Sequence, residues 1–252
     1  MNAKIVRMPP ILGSTHPSLV PFSSIPAVTY AVGDIHGRAD LLKELLFMIL
    51  THRKQIHGSA KIVFLGDYVD RGPDEARVID ILRSKKLRKD FDEVVILKGN
   101  HELMLIDELT SYMADKTKIS EGKFSVAKLY TRDYDAFTIS LRTLRDFLEK
   151  MPLFHSDGIR LFTHAGVGPT SEIGSWSADD LLWYCGPVQD LTGRLVVHGH
   201  TIVWDGPVAN RSAVNVDTGA FMSGRLTVAI FEGSSRQPTF LSTMPTDSPT
   251  TL

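Results

Sequence analysis

The chain holds a single cysteine, Cys185, in 252 residues. That excludes an internal disulfide framework and any zinc site built from several thiolates. It also lacks a surplus of either charge: Lys and Arg number 28, Asp and Glu 29, and the net charge is -1. Such a balance gives no reason to expect a nucleic-acid or membrane-surface partner. The one basic run, Arg83, Lys85, Lys86, Arg88 and Lys89, reads as a solvated helix end rather than a polyanion patch. No apolar run is long enough to span a membrane. The most apolar stretch near the N-terminus is broken by prolines and polar residues, so no signal-peptide core is expected there. A reducing cytoplasm is the expected compartment.

What is present is an ordinary globular balance, 43% hydrophobic and 23% charged, with enough chain for one large core. Residues 1–24, rich in Pro and Ser, read as an irregular lead-in, and 243–252 as a flexible tail. Residues 25–242 form one expected domain, undivided by repeat or linker. Within it, β-type runs at Val28–Val32, Lys61–Leu65 and Glu93–Leu97 alternate with helical stripes. The stripes are Leu41, Leu42, Leu45, Leu46 and Ile49, then Val78, Ile79 and Leu82, then Leu103 to Leu109. That order implies neighbouring parallel strands. A further helical stripe runs through Phe137, Leu141, Leu144 and Leu148. After it come strand-like runs at Ile159–Thr163, Leu195–His198, Ala213–Asp217 and Leu226–Phe231, expected to form a second, more antiparallel sheet. The expected fold is α/β, a four-layer α/β/β/α sandwich of two mixed sheets.

Chemistry-bearing residues cluster where strands end, the place where open α/β sheets bind ligands. The first strand runs into Gly33-Asp34-Ile35-His36-Gly37. Asp34 and His36, two apart in extended chain, project to one side and can meet one cation. Alone, Asp-x-His reads as a turn with a surface histidine; the flanking glycines after a buried strand reverse that preference. Next comes Gly66-Asp67-Tyr68-Val69-Asp70-Arg71-Gly72. Asp67 sits at the equivalent strand end, and its two oxygens make it the candidate bridge between two metals. Asp70–Arg71 could be a local ion pair, but Arg71 is better used as a planar fork on phosphate. In Gly99-Asn100-His101-Glu102, Asn100 offers a carbonyl oxygen to a cation and His101 a general acid. Glu102 reads first as a carboxylate that favours a helix start. His164, in Thr163-His164-Ala165-Gly166, and His200, in His198-Gly199-His200-Thr201, end later strands and suit a second metal. His198 is assigned to packing or support. Cys185 reads as a half-buried, unactivated thiol.

Taken in order, these motifs, with Asp217-Thr218-Gly219 late in the chain, resemble the phosphoprotein phosphatase family of metallophosphoesterases, in its bacterial Ser/Thr branch. The resemblance spans roughly residues 28 to 231. It implies one metal on Asp34, His36 and Asp67, and another on Asp67, Asn100, His164 and His200. It implies that Arg71 binds phosphate and that His101, paired with Asp70, protonates the leaving oxygen. One departure stands out: bacterial relatives often carry a second phosphate-binding arginine just after a Trp, whereas Trp183 is followed by Tyr184, Cys185 and Gly186. Arg194, Arg211 and Arg225 are the candidates to replace it.

The resulting expectation is a phosphomonoesterase acting on phosphoserine and phosphothreonine of a phosphoprotein or phosphopeptide. Water activated between two divalent cations would attack phosphorus directly. A mixed N and O ligand set suits manganese, with iron or zinc possible. The alternative is a symmetrical dinucleoside polyphosphate hydrolase on the same scaffold. Those relatives tend to carry Ala before the arginine of the second motif and Asp after Asn-His, so Asp70 and Glu102 weigh toward the protein phosphatase. A non-catalytic scaffold protein would be expected to have lost ligands, yet all six positions are filled.

Overall fold

A computed structural model describes residues 25–115, 134–168, 176–189 and 193–244, with the backbone alone for 134–140. The expected lead-in, 1–24, and the tail from 245 onward lie outside these residues. In chain order the strands are β1 (Val28–Val32), β2 (Ala60–Phe64), β3 (Glu93–Ile96), β4 (Phe154–Ser156) and β5 (Arg160–Thr163), followed by β6 (Leu195–His198), β7 (Val208–Ala209), β8 (Ala213–Asn215), β9 (Thr227–Glu232) and β10 (Thr239–Ser242). The helices are α1 (Ala39–Arg53), α2 (Glu75–Arg83), α3 (Leu87–Asp90), α4 (Asn100–Ala114), α5 (Tyr134–Glu149), α6 (Ala178–Leu182) and α7 (Ala220–Ser223).

The first sheet has the order β10-β9-β1-β2-β3 and the second β4-β5-β6-β8-β7. Side chains on β1 and β2 alternate between two apolar layers. Tyr30, Val32, Ile62 and Phe64 join the helical side with Leu42, Leu45, Ile79, Leu109 and Leu144. Ala31, Val63 and Leu65 face the second sheet, against Phe162, Val197 and Val214. Beyond that sheet, Leu161, Val196 and Ala213 pack with Leu181 of α6, so the fourth layer is thin among the described residues. Strands buried on both faces read as continuous apolar runs, which is why β1 and β2 were visible in the sequence.

Two details differ from expectation. The centre of the second sheet is parallel, β5 beside β6 and β6 beside β8; antiparallel pairs occur only at its edges. The run Leu226–Phe231, expected in the second sheet, forms β9 of the first, antiparallel to β1 with Val228 opposite Val32. Its residues feed both layers, Val228 and Ile230 on one side and Ala229 and Phe231 on the other. Either sheet can satisfy such a pattern, so only pairing decides.

Two buried cations tie the sheets together. Lys61 of β2 lies 2.9 Å from His155 Nε2 on β4 and 3.0 Å from Glu93 Oε2 on β3. Arg160 of β5, fully buried, donates to Asp157 Oδ2 at 2.7 Å and to the carbonyls of Gly233 and Ser235 in the β9–β10 turn. Its guanidinium also stacks 4.9 Å from the Phe231 ring. Arg160→Ala strands the Asp157 charge in the interior, and is expected to lower unfolding stability by about 3–5 kcal/mol. Urea denaturation measures this, and a variant as stable as wild type would contradict the clasp.

Candidate metal centre

Six strands of the two sheets end on one side of the molecule, and the loops that follow them interlock. The loop after β1 is held by that after β2, with Ile35 N–H and His36 N–H both donating to the Asp67 carbonyl, at 3.0 and 2.8 Å. The loop after β6 docks on that after β5 through Gly199 N–H to the His164 carbonyl, at 2.8 Å. Between sheets, His164 Nδ1 donates to the Leu65 carbonyl at 3.0 Å, and His200 N–H donates to the Asp34 carboxylate at 3.1 Å. Glycine is required at two of these crossings. A Cβ on Gly99 would collide with Asp67, and one on Gly199 with Asp34 Oδ1. Among the described residues, five non-glycines have positive φ: His36, Asp67, Asp70, Arg71 and His200. All five lie in these loops, the sort of concentrated backbone strain that marks functional sites.

Glu102 organises this tangle. Its side chain is fully buried. Oε2 accepts the N–H groups of Asp67 and Gly99, both at 2.8 Å, and Oε1 accepts that of Tyr68 at 2.7 Å. It therefore caps α4 as expected and also locks the Asp67 turn, a second job that the sequence did not reveal. Burial, with the charge of Asp67 nearby, pushes its carboxyl up to about 7, against the effect of the three N–H donors.

Asp67 faces two groups of ligand atoms. His36, Asp67 and His101 each bring a ligand atom within 4.8 Å of the others, and so do Asp67, His164 and His200. Its Oδ2 lies 3.4 Å from His36 Nε2, and its Oδ1 lies 3.3 Å from His164 Nε2. Both imidazoles donate from Nδ1, His36 to the Val69 carbonyl at 2.9 Å and His164 to that of Leu65, so each neutral ring presents a bare Nε2 lone pair. Burial pushes both down to about 3, and His200 to about 4. The Asn100 amide lies 2.9 Å from His164 Nε2, and with its nitrogen turned to that side it donates to His164 Nε2 and to both oxygens of Asp67. The bare lone pairs of His36 Nε2 and Asp67 Oδ2, 3.4 Å apart, repel unless a cation sits between them. The carboxyls carry the same signature: burial pushes Asp67 and Asp217 up to about 6, and burial plus the charges of Asp217 and Asp67 raises Asp34 well above the ordinary range. A mixed imidazole, carboxylate and amide set without thiolate fits divalent cations of the manganese, iron or zinc kind.

The other expected residues fall around this centre. Asp34 is buried but joins neither group, its carboxylate being engaged by His200 N–H. His198 is buried, with Nδ1 3.1 Å from the Gly199 carbonyl, and stays outside both groups. His101 joins the His36 side. Its Nδ1 lies 2.6 Å from Asp70 Oδ2, and although burial works against the charged form, Asp70 and Asp67 hold its pKa above the ordinary value. Arg71 is exposed, with Nη2 3.3 Å from His101 Nε2 and its guanidinium 4.7 Å from the Phe221 ring. Phe221 also packs edge-on against His36. Neither Phe221 nor Asp217 was among the expected site residues. Asp217 had a signal, since Val216-Asp217-Thr218-Gly219 repeats the pattern of a strand end followed by Asp and Gly; Phe221 had none. Cys185 is exposed rather than half-buried, 3.6 Å from His200 Nε2. Of the replacement arginines, Arg194 and Arg211 precede β6 and β8, at the opposite end of the sheet. Arg225 precedes β9 at the site end, its Nη1 beside Gly206.

Two substitutions separate ligation from support. Asp67→Asn removes a charge facing both groups, and should abolish turnover and lower bound metal with the fold retained. Glu102→Gln replaces one acceptor oxygen by a donor that faces N–H groups, and should weaken metal binding by roughly 10–100-fold. Metal analysis after dialysis, with circular dichroism, reads both, and wild-type metal content in Asp67→Asn would overturn its bridging position.

The family model for calcineurin-like phosphoesterases matches residues 28–211, well over half of the chain. Among curated proteins, the asymmetrical bis(5'-nucleosyl)-tetraphosphatase of Halalkalibacterium halodurans is 27% identical over 79% of this chain and 88% of its own length. The catalytic subunit A2 of serine/threonine-protein phosphatase 2B of Saccharomyces cerevisiae is 38% identical, but over 46% of this chain and 17% of its own length. A solved structure described as a candidate diadenosine tetraphosphatase superposes with a TM-score of 0.57 over 88% of this chain and 95% of that one, at 20% identity; this likeness speaks for the fold. No described helix is long and apolar enough to cross a membrane. With its two-sheet sandwich and the paired ligand groups around Asp67, this chain belongs to the calcineurin-like phosphoesterases, the metal-dependent phosphoester hydrolases of that fold.

Proposed function

We propose that the chain hydrolyses dinucleoside tetraphosphates, using two divalent cations held by the groups that meet at Asp67, with manganese as the expected metal. The observation that carries this reading is similarity over nearly the whole length of a tetraphosphatase, where the protein-phosphatase likeness is confined to less than half of this chain. The motifs alone favoured phosphoserine and phosphothreonine because of Asp70 and Glu102. Both residues have internal tasks. Asp70 orients and charges His101, and Glu102 holds backbone N–H groups of two loops. Neither task depends on whether the departing group is a serine or a nucleotide, so neither residue distinguishes the two substrates. The proposed partner is thus a free nucleotide, in a cytoplasmic setting, in place of the phosphoprotein first expected.

Cations bound there supply Lewis acidity to phosphoryl oxygens and lower the pKa of a bound water. His36, His164 and His200 present neutral lone pairs toward them, and Asn100 an amide oxygen. Asp67 divides its two oxygens between the two sides. Arg71, pinned between His101 and Phe221, offers its planar fork to the non-reacting phosphate oxygens as charge grows on them. His101, protonated with the help of Asp70, holds a proton at Nε2 for the departing oxygen.

The deciding assay uses purified protein, chelated and then supplied with manganese, on a dinucleoside tetraphosphate and a phosphoserine peptide side by side. The tetraphosphate is expected to show the higher kcat/KM. Anion-exchange separation distinguishes mono- plus triphosphate from two diphosphates, and so an asymmetrical from a symmetrical cut. A higher kcat/KM on the peptide would return the assignment to protein phosphatase. His101→Asn is expected to lower kcat by ~10²–10⁴-fold on an alkyl phosphate. The loss should shrink on the tetraphosphate or an activated aryl phosphate, whose leaving groups need less protonation; equal losses would remove His101 from that role.

A further inference from the structure

A large aromatic side chain stands exposed at the rim of the metal centre, where water-exposed apolar surface has no packing role. Trp183, at the C-terminal end of α6, is 43% exposed. Its ring meets the His200 ring edge to face, with centroids 6.3 Å apart and planes at 86°. His200 is itself one of the three groups on the His164 side of Asp67. From Trp183 to Gln189 the chain carries no charged side chain. Tyr184 is turned inward, its hydroxyl donating to the Pro187 carbonyl at 3.0 Å and its ring packed on Gly168 and Gly186. This flank therefore offers no cation to a phosphate chain. What it does offer is one half-exposed indole a single side chain away from a ligand imidazole. Trp204 is also exposed, at 57%, but its near neighbours are Ile202 and Gly219 rather than a site imidazole.

The geometry points to Trp183 as a stacking platform for the nucleobase of a nucleotide whose phosphates lie in the metal centre. A flat, polarisable ring at the edge of a polar site pairs well with a heteroaromatic base, and such stacking tolerates any base because each has a π-face. Phosphate and base are then read by separate elements. Arg71 and the metal side chains take the anionic chain, and the uncharged segment that follows α6 takes the neutral ring. The inference rests on the nucleotide reading above and deepens it: affinity comes from the base adjoining the bound phosphates.

ATP and inorganic tripolyphosphate share a phosphate chain and differ by the nucleoside, so their inhibition constants against p-nitrophenyl phosphate turnover, at fixed excess manganese, isolate the base. Wild type is expected to bind ATP more tightly, and Trp183→Ala to remove roughly 5- to 100-fold of that preference. The same variant should raise KM for a dinucleoside tetraphosphate with kcat little changed, while Trp183→Phe, which keeps a ring, stays near wild type. Tripolyphosphate inhibition and metal content should be unchanged in both. Quenching of tryptophan fluorescence by ATP beyond that by tripolyphosphate should disappear in Trp183→Phe, which gives a readout independent of turnover. Equal losses for ATP and tripolyphosphate, or no loss of ATP preference in Trp183→Ala, would overturn the platform. If wild type fails to hydrolyse the tetraphosphate yet shows the Trp183-dependent ATP preference, the tetraphosphatase reading falls and the platform stands.

Discussion

The buried carboxylate of Glu102 is the contact on which the site depends. Three backbone N–H groups from two loops converge on its two oxygens. Without that acceptor they would be buried and unpaired, at a cost of about 1–3 kcal/mol each. With it, the turn at Asp67 is held with φ of 54°, a backbone state that a non-glycine residue adopts only when its surroundings impose it. Asp67 is consequently presented with one oxygen toward His36 and the other toward His164. The rest of the centre is arranged about that division.

Such an arrangement is unfavourable by itself. Asp34, Asp67, Asp217 and Glu102 share one desolvated region, and burial raises the pKa of each. Imidazole lone pairs point at carboxylate oxygens. A protein keeps such a set when a cation offsets it, and the binding free energy of the metal then becomes part of the folding free energy. At the far end of the sandwich the polarity is reversed. Lys61 and Arg160 are buried cations, each paired with a carboxylate on its own sheet and reaching across to the other sheet or its turn. The two sheets are thus held by fixed positive charge at one end and by a candidate metal centre at the other.

Chemistry and selectivity occupy different parts of this centre. In the proposed reaction, Asp67, Asn100, the imidazoles, the Asp70–His101 pair and Arg71 deal with a phosphoryl group whatever it is attached to. The rim differs: Trp183 stands exposed beside His200, and the segment that follows it carries no charge. Motifs written by the shared chemistry therefore identify the family more readily than the substrate. Asp70 and Glu102 serve the shared chemistry, one on His101 and the other on two loops, and so weigh little on the substrate.

Much of the design is local and was legible in the chain. A strand buried on both faces must be apolar throughout, so β1, β2, β5 and β6 were visible as runs. Tight turns at strand ends need glycine, so Asp34, Asp67, Asn100 and His200 could be picked out beside Gly33, Gly66, Gly99 and Gly199. Which strand pairs with which is not local: β9 has the same alternation in either sheet, and only its hydrogen bonds to β1 assign it. The same holds for roles that depend on contacts made from a distance. Glu102 looks like a helix cap until the Asp67 turn is folded against it. Phe221 looks like any apolar residue until Arg71 and His36 close on it. The sequence alone determined the main strands and helices, their order and the candidate ligands, because these follow from periodicity and side-chain chemistry. Tertiary structure alone decided which ligand atoms face one another across Asp67, because that depends on loops from two sheets meeting at one place.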